Sequence, residues 1–227
     1  MRGTDGRFLP IEEANLHEFF APLASSASAS QNLLFHWSDK RGPAGIPDYL
    51  TYSLSRNALA TAHSGAPTAT PTPLRSLVAL RSGKPLAIPQ ICELTSLDRQ
   101  TVRSDLRQLA SSRLVSMSGD AVQIAPGLNE RGTIHAFEAK TNDWRAGLAQ
   151  ALRYTSWADK STLVLARPPA PLSYERLLQS CKTYQVGLAI QGRWVVRPGR
   201  TATAPDQRLW MQVSLIHETR TGLVSEP

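Results

Sequence analysis

Residues 133–166 read TIHAFEAKTNDWRAGLAQALRYTSWADKSTLVLA, and their pattern decides the class of fold. Thr133 to Ala139 is rich in apolar and aromatic residues at strand length. Asp143 to Ala158 carries apolar residues at helical spacing, and Ser161 to Ala166 is again apolar and β-prone. Strand, helix, strand in close succession predicts a crossover and a partly parallel sheet. The alternation continues with a helix over Tyr174 to Tyr184, a strand over Gly187 to Ile190 and a further extended segment, Arg193 to Val196. Within the first strand Glu138 and Lys140 stand two apart, so both side chains point to one face. Exposed Glu-x-Lys pairs are ordinary surface ion pairs. On a buried face the same pair needs compensation, which a hydrated metal ion supplies. Gln150 and Tyr154 follow on the helix, four apart and therefore stacked. At 100° per residue they fall on the flank of the apolar arc formed by Trp144, Leu148, Ala151, Leu152 and Thr155, where side chains reach the mouth of a cleft.

Upstream, Glu12 to Leu23 suits a helix, with Leu16, Phe19, Phe20 and Leu23 at helical spacing. Leu33 to Trp37 and Tyr49 to Leu54 suit two strands joined by the turn-rich SDKRGPAGIPD. Asp48 stands at the head of the second strand. Asp48 after Pro47, Glu138-Ala139-Lys140, and Gln150 with Tyr154 in order resemble the PD-(D/E)xK nuclease superfamily, including the Q-x-x-x-Y element of its RecB-like members. The resemblance implies a restriction-endonuclease-like α/β (α+β) fold, a mixed sheet flanked by helices. It implies that Asp48 and Glu138, with the carbonyl of Ala139, hold Mg²⁺, Mn²⁺ being a substitute. Lys140 would orient the attacking water and stabilise charge on the phosphate, and Gln150 and Tyr154 would position the DNA backbone or the metal-bound water. About ninety positions separate Asp48 from Glu138, wider than the family's usual interval. Asp39 and Asp120 are the alternative acids, Asp120 sitting in a turn. Loop entropy grows only logarithmically, so the gap is no obstacle to closure.

The gap holds a module of its own. Leu74, Leu77, Val78 and Leu80 suit a helix ended near Gly83, and Pro89 to Thr95 a second. Asp98 to Ala110 suits a third, with Asp98 as N-cap and Val102, Leu106 and Leu109 as its apolar face. LVSMSGDAVQIA then reads as strand, turn, strand, with Gly119 and Asp120 in the turn. This pattern resembles the winged helix-turn-helix family, which implies DNA contact by the third helix through Arg99, Gln100, Thr101, Arg103, Ser104 and Arg107. Between Thr72 and Leu128 Lys plus Arg is seven and Asp plus Glu four, a mildly basic balance.

The domains expected are 1–63 and 129–200 as the two parts of the nuclease-like core, 64–73 (SGAPTATPTP) as linker, 74–128 as the inserted winged helix and 201–227 as an extension. The extension has one apolar stretch, Leu209 to Ile216, before a polar end that frays. The chain has 227 residues, 25 Lys plus Arg against 18 Asp plus Glu, and a net charge of +7. That balance favours polyanionic partners, DNA first, and 41% hydrophobic residues supply a core. No apolar run spans a bilayer, and Met1 to Pro10 lacks the charged-then-apolar pattern of a secretory signal. Cys92 and Cys181 read as two buried, reduced thiols, and the expected location is cytoplasmic. Three functions fit: a Mg²⁺-dependent DNA endonuclease of a restriction, defence or mobile-element system; a DNA-binding regulator using an inactive nuclease-like domain for dimerisation or sensing; and a structural subunit of such a system. A homodimer is compatible with each.

Overall fold

The computed structural model describes residues 13–28, 32–64, 74–129 and 132–221. A 3₁₀ segment, Glu13–Phe19, runs into α1 (Phe20–Ala27). Then come β1 (Asn32–Ser38), β2 (Tyr49–Ser55) and α2 (Arg56–Ser64). The middle of the chain holds α3 (Leu74–Ala79), β3 (Leu86–Ala87), α4 (Ile88–Thr95), α5 (Arg99–Ser111), β4 (Val115–Ser118), β5 (Ala121–Ile124) and α6 (Pro126–Asn129). The remainder is β6 (Thr133–Lys140), α7 (Trp144–Tyr154), β7 (Lys160–Leu165), α8 (Pro171–Thr183), β8 (Gly187–Ile190), β9 (Arg193–Val196) and α9 (Pro205–Thr221). The fold is mixed α/β. One sheet has six strands in the order β1-β2-β6-β7-β8-β9, and a small sheet has the order β3-β5-β4. Strands β6, β7 and β8 are parallel, and β9 returns antiparallel to β8.

Residues 37–51 and 135–202, with those described before residue 31, form one compact unit. Its β6 is buried on both faces, as befits a strand inside a parallel sheet. His135 and Phe137 stack at 3.9 Å between ring centroids, and Phe137 meets Phe20 and Tyr49 on the α1 side. The register pairs Glu138 with Leu163 and Lys140 with Leu165, so these residues share the other face. Leu163 and Leu165 pack there with Leu148 and Ala151 of α7 and Leu177 and Cys181 of α8. Asp143 caps α7 by accepting from the Ala146 amide at 3.0 Å. Gly147 lets α7 lie close to the sheet: a Cβ there would stand 2.6 Å from Leu163 Cδ1 and 2.7 Å from Lys140 Cγ.

The second unit comprises residues 31–36, 52–134 and those described beyond residue 202. Here α5 turns Val102, Leu106 and Leu109 fully inward, against a core that includes Leu77, Leu80 and Ile91. Ser76 on α3 donates to Asp105 Oδ2 of α5 at 2.7 Å. Buried within the same unit, Arg208 of α9 donates to the Gly132 carbonyl and to Gln212 Oε1.

Several expectations need correction. The N-terminal helix is 3₁₀ up to Phe19 and α-helical only from Phe20, reaching Ala27 rather than Leu23; Glu12 lies outside the described residues. Helix α7 ends at Tyr154 instead of Ala158, because the Thr155, Ser156 and Trp157 amides donate three residues back, to the Leu152, Arg153 and Tyr154 carbonyls, and tighten the last turn. Between the expected winged helix and the second part of the core, residues 125–132 (APGLNERG) contain a one-turn helix, α6, and Glu130 and Arg131 lie outside the described residues. The 201–227 extension holds a 17-residue helix, α9, in which Arg208, Leu209 and Met211 to Ile216 are buried. Cys92 is half-buried, while Cys181 is buried; both are free thiols. The linker at 64–73 lies outside the described residues except for Ser64, which ends α2. Among the described residues no helix is long and apolar enough to cross a membrane.

Candidate active site

Pro47 sends the chain into β2, and Asp48 stands immediately before its first residue. Asp48 Oδ2 accepts a hydrogen bond of 2.7 Å from the Ala139 amide, the backbone link between Glu138 and Lys140. One bond thus joins residues that the sequence separates widely. Glu138 is 1% exposed, and its two oxygens are both occupied: Lys140 Nζ lies 2.9 Å from Oε1, and Tyr154 donates to Oε2 at 2.7 Å. Glu138 thus lies on a buried face, and the partly exposed Lys140 and the buried Tyr154 compensate it directly.

Tyr154 is fully buried rather than at the edge of a cleft. The register presents Glu138 beneath α7, so the phenol finds its polar partner inside the fold. Its oxygen also lies 2.9 Å from the Ile46 carbonyl, to which it donates. One phenolic proton is shared between two acceptors, the Glu138 carboxylate and the Ile46 carbonyl. Burial pushes the Glu138 carboxyl above its ordinary range, and the nearby Asp48 charge adds to this. The bonds from Lys140 and Tyr154 oppose it. Burial, then the Glu138 contact, raises the Tyr154 phenol as well.

The turn-rich loop before Asp48 packs against Tyr154. Gly45 has φ +123°, and a Cβ there would sit 3.0 Å from Tyr154 Cε1. The turn is closed by a Gly42 amide donating to the Gly45 carbonyl at 2.8 Å. The GPAGIPD composition marks a turn without revealing that Tyr154 fastens it.

Gln150 is half-buried, and its side chain makes no hydrogen bond among the described residues. Ala139 is buried, with its amide committed to Asp48. Asp39 is exposed, its amide donating to the Asp48 carbonyl at 3.3 Å, and Asp120 is exposed in the β4–β5 turn. Among the described residues no three His, Cys, Asp or Glu side chains gather as a metal-ligand set. Mg²⁺ does not require three: it keeps several waters and is commonly held by one or two carboxylates. Asp48 and Glu138 are hard oxygen donors close enough for the charge of one to raise the proton affinity of the other, and that repulsion is what a divalent cation relieves.

On α5, Arg99, Gln100, Thr101, Arg103, Ser104 and Arg107 are all exposed. The Asp98 carboxylate accepts from the Gln100 and Thr101 amides at 2.8 and 2.9 Å and from the Thr101 hydroxyl at 2.6 Å. These bonds hold its carboxyl below the ordinary range, the Thr101 hydroxyl contributing most. Thr101 therefore already spends its hydroxyl proton on the cap.

No family model, curated protein or solved structure matches this chain.

Proposed function

We propose that the protein is a metal-dependent DNA phosphodiesterase with a restriction-endonuclease-like core of the PD-(D/E)xK kind and a winged helix-turn-helix formed by α3, α4, α5 and the β3-β5-β4 sheet. The observation that carries this reading is the bond from the Ala139 amide to Asp48, which sets a second carboxylate beside the Glu138–Lys140 strand. Asp48 and Glu138 would hold Mg²⁺, which supplies Lewis-acid stabilisation of phosphate charge and a more acidic bound water. Lys140 neutralises charge on the scissile phosphate and orients the attacking water. Tyr154 holds Glu138 in place and fastens the loop leading to Asp48. The exposed arginines of α5 contact phosphates and base edges of duplex DNA.

The test is nicking or linearisation of supercoiled plasmid by the wild type in Mg²⁺ or Mn²⁺, with Lys140→Ala in parallel. Cleavage by the wild type and loss of at least about a hundredfold in the variant supports the reading, a typical scale for removing one charge-stabilising group. The second reading, a DNA-binding regulator with an inactive core, is favoured by the closed pairing of Glu138 with Lys140 and Tyr154. Tight binding of one DNA sequence with no cleavage under any divalent metal supports that alternative.

A further inference from the structure

Between Arg176 and Pro205 the chain carries Arg176, Lys182, Arg193, Arg197 and Arg200 and no Asp or Glu. The fold gathers three of these cations. Lys182, Arg197 and Arg200 line a pocket of about 500 Å³ with Gln185, Val196 and Gly199. The pocket is built by backbone bonds. The Gly199 amide donates to the Gln185 carbonyl at 3.0 Å, and the Thr201 amide to the Asp159 carbonyl at 3.0 Å. These pin the 197–201 segment beside the end of α8 and the residue before β7. Arg197 is held by donating to the Ser26 carbonyl at 3.0 Å and by lying over the Trp194 ring, 5.8 Å from its centroid.

A fourth cation, Lys160, begins β7 and donates to the Ala27 carbonyl at 3.0 Å. Burial lowers its proton affinity, the charges of Arg197 and Arg200 lower it further, and Asp159 opposes them. Lys182 and Arg200 are exposed and have no acidic partner among the described residues. Like charges gathered in one pocket repel one another, and an anion that joins them relieves that repulsion.

The pocket stands apart from the acidic site. Lys160 pairs with His135, whereas Glu138 pairs with Leu163, three positions further along both strands. The two sites therefore lie towards opposite ends of the parallel strands.

We propose that the Lys182–Arg197–Arg200 pocket binds phosphates of the nucleic-acid backbone, giving the nuclease-like unit a DNA anchor separate from α5. A phosphate diester presents anionic oxygens that accept hydrogen bonds from two guanidinium groups and an ammonium. The inference rests only on the DNA-binding part of the proposed function, not on catalysis.

The experiment measures duplex DNA affinity of the full chain against salt concentration in EDTA, where cleavage plays no part. K182A/R200A is compared with the wild type and with R176A, an exposed cation of α8 outside the pocket lining. Each phosphate contact contributes about 0.9 to the log–log salt slope, so the double variant should lose about two units while R176A loses less than one. The charge-conserving K182R/R200K should restore the slope, which misfolding would not allow. An unchanged slope in K182A/R200A overturns the proposal, as does a wild type that binds no DNA. If a mononucleoside 5′-phosphate protects the pocket while the DNA slope is unchanged, the ligand is a free phosphate ester and the backbone assignment is overturned. A wild type that binds through the pocket but never cleaves with Mg²⁺ leaves this proposal standing and removes the nuclease reading.

Discussion

Burial and pairing pull the proton affinity of Glu138 in opposite directions, and burial wins. The folded chain therefore binds this proton more tightly than the unfolded chain does. Burial of Glu138 is without penalty below its ordinary value of 4.5 and progressively destabilises the fold as pH rises through the raised value. Unfolding by urea at pH 4.5 and pH 7.5 should show wild-type stability falling relative to Glu138→Gln across that interval; a constant difference contradicts the account. If Glu138 holds the proposed metal, the same proton competes with it, and Mn²⁺ affinity should weaken with falling pH before an ordinary carboxylate would titrate. Tyr154→Phe keeps the buried ring and removes the two oxygen contacts, at a cost of about 1–2 kcal/mol in urea unfolding. It should also raise the Glu138 proton affinity further, read by carboxyl NMR titration. The Glu138–Lys140 spacing was legible because strand alternation is strict. The burial of Tyr154 was not, because a helical wheel places a residue on a flank but cannot say that the strand beneath offers a carboxylate.

Helices that were legible are those with one wet and one dry face. Helix α5 buries Val102, Leu106 and Leu109, exposes its arginines and begins at a capping Asp98, so period and cap agree. Leu106→Ala should lower the stability of the unit by about 2–5 kcal/mol, and Asp98→Ala by about 0.5–2 kcal/mol, both read by thermal unfolding. Arg103→Ala with Arg107→Ala should reduce the DNA salt slope by about two units without altering that stability; an unchanged slope means α5 contacts something else. Helix α9 was hidden for the converse reason. Eight of its residues are buried, Arg208 and Gln212 among them, so no polar face marks the period. Helix α2 and the two-residue β3 offered too little pattern, Arg56–Ser64 mixing Ala, Asn, Thr and His without a clear stripe.

At the scale of the whole chain, the sequence order showed that something separates the Asp48 and Glu138 strands and that the separating stretch has its own apolar pattern. The compact unit around that stretch is larger than 74–128, because α2 and α9 belong to it and neither was recognised as a helix. The pairing of a carboxylate from β2's leading edge with an amide of β6 is a long-range contact that no local period encodes. If the two units carry separate tasks, hydrolysis and affinity come apart on mutation. Glu138→Gln removes one negative charge from the acidic site and leaves the exposed face of α5 untouched. The decisive measurement is a paired cleavage and gel-shift assay of wild type and Glu138→Gln on the same DNA in Mg²⁺. Cleavage by the wild type only is expected, with equal or tighter binding by the variant because repulsion of the phosphates falls. Cleavage by Glu138→Gln at the wild-type rate, or none by the wild type with Mg²⁺ or Mn²⁺, would contradict it.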